Sequence, residues 1–169
     1  MRRHNWKVEK EWICFSPGIV PALHAFSRIF AGKGDKIIMN SPVYYPFFGA
    51  AVKNGAEPVY NELIYKNGRY EIDFDDFERK ASDPAVKMYY LCSPHNPGGR
   101  LWAKEELTRL GEICLRNNVL VIADEIHCDL VYPDKKHVPF GSLKEEIVNN
   151  SIICTAPTKT FNLAGLQIS

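Results

Sequence analysis

The sequence predicts an α/β fold: a mostly parallel sheet flanked by helices. Three observations carry that prediction. Strand-type apolar runs alternate with helical patterns along the chain, as expected when a helix carries the chain from each strand to the next. Several runs, Val86–Cys92 and Val119–Ala123 among them, are apolar at almost every position instead of alternating. Such runs belong to parallel strands covered on both faces. Polar residues gather at the carboxyl ends of the runs, which is where open α/β sheets bind ligands.

The elements follow in order. Trp12–Phe15 reads as a short strand ended by Ser16-Pro17-Gly18. Val20–Phe30 reads as a helix, with Leu23, Phe26, Ile29 and Phe30 at helical spacing. Lys36–Met39 is a second strand, closed by Asn40-Ser41-Pro42. Phe47–Val52 suggests a helix stopped by Asn54-Gly55, and Glu57–Leu63 a third strand. Asn67-Gly68, inside Tyr65–Tyr70, is a hairpin turn signal. Asp73 is placed to cap a helix over Phe74–Lys80. Val86–Cys92 is a strand ended by a Ser-Pro-His-Asn-Pro-Gly-Gly turn. Lys104–Arg116 is an amphipathic helix with Leu107, Leu110, Ile113 and Cys114 on one stripe. Val119–Ala123 runs straight into Asp124-Glu125, and Ile147–Cys154 brings a last strand.

Composition narrows the function. The chain has 169 residues, 46% apolar and 24% charged, with 21 Lys+Arg against 20 Asp+Glu. That excludes a disordered chain. It suits one domain or a piece of one, long enough to bury a real core. A net charge of +1 with both signs dispersed leaves no footprint for nucleic acid or an anionic membrane. No run of about 18 apolar residues exists, so no transmembrane helix is expected. Met1–Trp12 has two arginines but no apolar stretch behind them and does not read as a secretory signal. The five cysteines, Cys14, Cys92, Cys114, Cys128 and Cys154, form no C-x-x-C pair. They read as small buried hydrophobes in a reducing cytoplasm. The histidines show no ligand spacing with Cys or carboxylates beyond Asp124 and His127, so no metal is expected.

Asp124 is the first residue with a chemical claim. A carboxylate directly behind Val-Leu-Val-Ile-Ala sits at a buried strand end, where an unpaired charge is expensive. It must meet a cation or a ligand. A nucleotide hydrolase with an acidic strand would need an upstream G-x-x-x-x-G-K-[ST] loop. Gly32-Lys33-Gly34-Asp35 has neither the spacing nor the hydroxyl. The other reading is an anion that holds a protonated ring nitrogen of a cofactor. Lys159 is the second such residue, behind an apolar strand and Ala156-Pro157-Thr158. A lysine there can be a solvated surface residue. Beside a strand-end Asp and an Asn-Pro turn, a desolvated amine instead suits a Schiff base with an aldehyde cofactor.

Three motifs now stand in order: Ser93-Pro94-His95-Asn96-Pro97-Gly98-Gly99, Ala123-Asp124-Glu125-Ile126-His127, and Ala156-Pro157-Thr158-Lys159-Thr160-Phe161-Asn162-Leu163-Ala164-Gly165. Together they resemble the fold-type I pyridoxal-phosphate enzymes of the aminotransferase class I/II superfamily. Pro17–Leu23 and the Asp-Glu-Ile-His box resemble its MalY/PatB branch, the cystathionine β-lyase-like C–S lyases. The resemblance covers nearly the whole chain. It implies pyridoxal 5′-phosphate as cofactor and Lys159 as the lysine bonded to it. It implies that Asp124 pairs with the pyridine nitrogen and that Asn96 hydrogen-bonds the phenolic oxygen. Tyr44 matches the aromatic stacked on the ring, although an ordinary core tyrosine is the alternative. Gly18, Ile19 and Val20 match the turn whose backbone N–H groups hold the phosphate, as a helix N-terminus can. Thr158 matches a possible phosphate hydroxyl. His127 stands where many aminotransferases have a tyrosine touching the phenolic oxygen, and histidine there fits the lyase branch.

The resemblance also implies an incomplete site. Residues 1–169 correspond to part of a three-layer cofactor-binding large domain. The N-terminal segment, the C-terminal small domain and the family's carboxylate-binding arginine lie outside them. The family's phosphate-binding arginine has Gln167 as its nearest counterpart, and Gly98 stands where threonine is common. The implied reaction is β-elimination on an S-substituted cysteine, giving a thiol, pyruvate and ammonia. Transamination of an amino-acid substrate remains open, and so does a non-catalytic remnant. A homodimer in the cytoplasm is the implied setting.

Overall fold

The structure is a computed structural model that describes residues 4 and 6–169. Met1–Arg3 and Asn5, part of the opening stretch assessed as a possible signal, lie outside the described residues. Five parallel strands form the main sheet: β1 (Lys36–Ser41), β2 (Glu57–Glu62), β5 (Val86–Cys92), β6 (Leu120–Asp124) and β7 (Ser151–Cys154). Their order is β2-β1-β5-β6-β7. A separate antiparallel hairpin joins β3 (Ile64–Lys66) to β4 (Arg69–Glu71). Its turn residues Asn67 and Gly68 both have positive φ, 51° and 78°. That conformation matches the right-handed strand twist and favours an Asn-Gly pair.

Side chains of neighbouring strand residues face opposite layers. Tyr89 and Leu91 of β5, with Val121 and Ala123 of β6, pack against α3 (Phe74–Ala81), α4 (Lys104–Arg116) and α5 (Glu145–Val148). Met88, Tyr90 and Cys92, with Ile122, pack against α1 (Ile19–Phe30) and α2 (Pro46–Val52). The two cores make a three-layer α/β/α sandwich and explain why interior strands are apolar throughout. In α4, Leu107, Leu110, Gly111, Ile113 and Cys114 are buried on one stripe. The carboxylate of Glu106 accepts the Ala103 N–H at 2.7 Å and caps the first turn. Asp73 caps α3 by accepting the Asp76 N–H at 3.0 Å. Among the described residues no helix is long and apolar enough to cross a membrane.

Three expectations are corrected. Trp12–Phe15 is not a strand. Lys10–Trp12 is a 3-10 turn, and Trp12, Ile13 and Phe15 are exposed. An apolar run makes a strand only where a partner is supplied, and here Ser16 alone exchanges two backbone hydrogen bonds of 2.9 Å with Ser169. The last strand is shorter than Ile147–Cys154. Glu145–Val148 is helical, and the strand begins at Ser151. Ile147 packs in the α4–α5 layer, against Gly111, where an added Cβ would lie 2.3 Å from its Cγ2. The cysteines are not all buried: Cys92, Cys114 and Cys154 are, Cys128 is half-buried and Cys14 is exposed.

Leu110 is fully buried between α4 and the sheet. Truncation to alanine leaves a cavity that the layer cannot collapse around. Leu110→Ala is expected to cost about 2–5 kcal/mol. A lowered midpoint in urea with an unchanged slope checks this.

Candidate functional site

The carboxyl ends of β5 and β6, the N-terminus of α1 and the short helix α6 (Pro157–Thr160) enclose one cavity of about 260 Å³. All nine residues singled out in the sequence line it. They come from five separate stretches of chain, and the topology alone brings them together. The parallel strands all point their carboxyl ends to the same rim.

Gly18, Ile19 and Val20 form one wall. Gly18 is the N-cap of α1 with φ +154°, a conformation that disfavours a side chain. No side chain caps this terminus and no acidic residue lies in its first turn. Pro21, in that first turn, has no N–H to leave unpaired. The Ile19 and Val20 amides therefore present free donors and the positive end of the helix dipole to the cavity. Gln167, in a left-handed conformation with φ 47°, lines the same space.

Asp124 is 6% exposed at the end of β6. Its Oδ1 accepts the Ile126 N–H at 3.1 Å. Burial pushes its carboxyl up to about 6; the adjacent Glu125 adds to that, and the Ile126 bond and Lys159 oppose it. The strand register sets Cys92 and Cys154 on either side of Asp124. Burial pushes both thiols up to about 12. Asp124 is thus flanked by neutral groups and opens onto the cavity, an arrangement that calls for a cationic partner.

Asn96 and Tyr44 are held by a shared clasp. His95 is buried, and its Nε2 donates to the Pro42 carbonyl at 2.8 Å. Burial lowers the pKa of His95, and the bond to the Pro42 carbonyl opposes that shift. This joins the turn after β5 to the turn after β1. Asn96 is fixed further by its N–H to Cys92 Sγ at 3.3 Å, and the His95–Gly99 turn closes at 2.8 Å. A Cβ on Gly98 would lie 3.0 Å from Tyr70 and 3.1 Å from His95. The hairpin and the clasp occupy the space that a threonine there would need. Tyr44 is half-buried, with its ring edge-on to Phe47 at 6.3 Å. Burial raises its hydroxyl pKa, with Tyr45 and Asp124 adding to the shift.

Thr158 and Lys159 sit on α6, where the sequence suggested only a turn. Lys159 faces the cavity but is exposed. The desolvated amine expected from the sequence is not what these residues provide, because Phe161 to Ile168 behind it are themselves exposed. His127 is half-buried, and burial together with Lys159 lowers the pKa of its ring. Sequence reasoning missed the clasp of His95 and the wall formed by Cys92. It also missed that His4, Cys128 and Asp129 bring an imidazole, a thiol and a carboxylate within 4.8 Å of one another. No spacing rule connects residue 4 to residues 128 and 129.

Residues 1–168 match the family described as aminotransferase class I and II. The chain is 50% identical over 167 residues to cystathionine beta-lyase PatB of Bacillus subtilis, covering 99% of this chain and 43% of that protein. It superposes on cystalysin from Treponema denticola, which contains a pyridoxal 5′-phosphate cofactor, with TM-score 0.97 and 41% identity over 99% of this chain and 43% of that one. A PLP-bound putative aminotransferase from Clostridium difficile gives TM-score 0.95 and 46% identity over the same shares. The chain therefore spans less than half the length of the proteins it matches.

Asp124 makes the site pH-sensitive. A carboxyl raised from 3.8 to about 6 keeps its proton in the folded state after the unfolded chain has lost it. Its contribution to stability is full below about pH 4 and is lost as the pH rises through about 6. In Asp124→Asn that loss disappears. The stability of the parent relative to Asp124→Asn is expected to fall between pH 4 and 7, measured by urea unfolding in parallel. An unchanging difference would contradict the buried, unpaired carboxyl.

Proposed function

Because this chain belongs to the aminotransferase class I and II family, we propose that it forms the cofactor-binding part of a pyridoxal-phosphate C–S lyase. The observation that carries the reading is the single cavity. It joins a buried carboxyl with a raised pKa, a free helix N-terminus and a lysine amine, each placed for a different part of one cofactor. The residues fit the group. Asp124 supplies an anion for a cationic ring nitrogen, which would itself lower the carboxyl pKa. The Gly18–Val20 turn, Gln167 and the Thr158 hydroxyl supply donors for a phosphate. Asn96 supplies an amide for the phenolic oxygen and Tyr44 a ring face.

When bound, pyridoxal phosphate supplies an electron sink for charge that develops at the substrate's Cα. The chain's own residues do the rest. Asp124 holds the proton on the ring nitrogen. The Lys159 amine would hold the cofactor and, when free, would take the Cα proton. With an S-substituted cysteine, the Cβ–S bond would then break, the sulfur leaving as a thiolate that takes up a proton to become the thiol, and water would convert the remaining enamine to pyruvate and ammonia. His127, at the position where many aminotransferases have a tyrosine, favours the lyase reading, as does the 50% identity to a cystathionine beta-lyase. We place the active protein as a homodimer in the cytoplasm, a reducing setting that suits five unpaired cysteines. The aminotransferase reading is kept because the putative aminotransferase is 46% identical, close to the 50% of PatB.

Mixing the chain with pyridoxal phosphate is expected to give a Schiff-base absorbance band near the visible edge, absent in Lys159→Ala. Given cystathionine, the loaded protein is expected to release pyruvate without an added 2-oxo acid. A requirement for a 2-oxo acid marks the aminotransferase. No band in either chain marks a non-catalytic remnant.

A further inference from the structure

Asp129 lies beyond the residues assigned to the cofactor, yet its carboxylate spans two distant parts of the chain. Oδ1 accepts from His4 Nε2 at 3.1 Å. Oδ2 accepts the Thr160 hydroxyl, also at 3.1 Å. Thr160 is the last residue of α6 and follows Lys159 directly. The loop that presents Asp129 is itself braced. Cys128 N–H bonds to Glu125 O at 3.0 Å and Leu130 N–H to His127 O at 2.8 Å. Glu125, at the base, is 3% exposed. Its N–H reaches Cys154 O at 2.8 Å, and its Oε1 accepts the Phe140 N–H at 2.7 Å. His137 Nε2 stands 3.1 Å from Oε2. The Cys128 thiol lies against the Thr155 hydroxyl, so the loop touches the lysine segment on both sides of Lys159.

The short helix needs such support. α6 has four residues, no side-chain N-cap and no buried residue. Its local bonds run from Phe161 N–H to Pro157 O and from Leu163 N–H to Thr158 O, both at 2.9 Å. A helix this short is not stable alone. We propose that Asp129 is a positioning residue whose carboxylate clamps α6 through Thr160 and thereby fixes where the Lys159 amine stands. The imidazole, thiol and carboxylate cluster at residues 4, 128 and 129 is then a fastening, with His4 holding the other carboxylate oxygen. The clamp rests on geometry; its effect on Lys159 rests on the function proposed above.

Hydrogen exchange of the cofactor-free chain tests the clamp. Asp129→Ala and Thr160→Val are expected to speed exchange at the Phe161 and Leu163 amides roughly tenfold, the size of one lost hydrogen bond. Thr160→Ser, which keeps the hydroxyl, is expected to exchange like the parent. Amides of β5 and β6 report whether each variant retains the sheet. If Asp129→Ala does not fold, the Thr160 pair decides. Unchanged exchange in Thr160→Val overturns the clamp. After loading with pyridoxal phosphate, the pH midpoint of the Lys159 absorbance band is expected to shift in Thr160→Val and to be restored in Thr160→Ser. Faster exchange with an unmoved midpoint overturns the positioning role. A parent chain with no band defeats the reading of Lys159 and the positioning role with it, while the exchange data still decide the clamp.

Discussion

The carboxylate of Asp124 is the constraint around which the rest of the rim is arranged. It stands at the end of an interior strand, 6% exposed, between two neutral thiols. A charge in that place is costly unless a cation meets it, and the burial that raises its pKa measures the cost. The strand cannot release it either. Asp124 O accepts the Ser93 N–H at 2.9 Å, and the next residue is tied to Cys154 O at 2.8 Å. The fold holds a destabilising group rigidly at the mouth of a cavity. Under the proposed function, a cationic ring nitrogen offsets that cost.

Every other wall is fixed relative to that strand. The sheet sets the turns after β1 and β5 beside it, and His95 locks those two turns to each other. The α1 terminus is held against the sheet by Leu23, whose carbonyl accepts the Tyr90 hydroxyl at 2.9 Å. Thr158 and Lys159 sit on an element with no buried residue of its own, fastened through Thr160 to Asp129. The cavity therefore combines walls fixed to the sheet and to α1 with a lysine carried on a short helix. Under the proposed function, that division suits a lysine that both holds a cofactor and releases it.

The sequence was legible where the physics is local. Val86–Cys92 and Lys104–Arg116 have the predicted bounds because a buried parallel strand and an amphipathic helix write their periods into the residues. Asp124 was legible because a carboxylate behind an apolar run is anomalous. Trp12–Phe15 misled because its composition is that of a strand whether or not a partner strand exists. Ile147-Val148 misled because β-branched residues suggest a strand, while the space at Gly111 made the segment a helix. The nine site residues share one cavity, yet the exposure of Lys159 was hidden: it depends on what packs beyond it. The His95 clasp and the Asp129–Thr160 contact join residues far apart in sequence and leave no local trace.

The central claim is that Asp124 exists to hold a proton on a ring nitrogen. Nuclear magnetic resonance of the chain loaded with pyridoxal phosphate labelled with ¹⁵N in the ring tests it directly. The account predicts a protonated pyridine nitrogen in the parent at neutral pH and an unprotonated one in Asp124→Asn. The same protonation state in both proteins would contradict it.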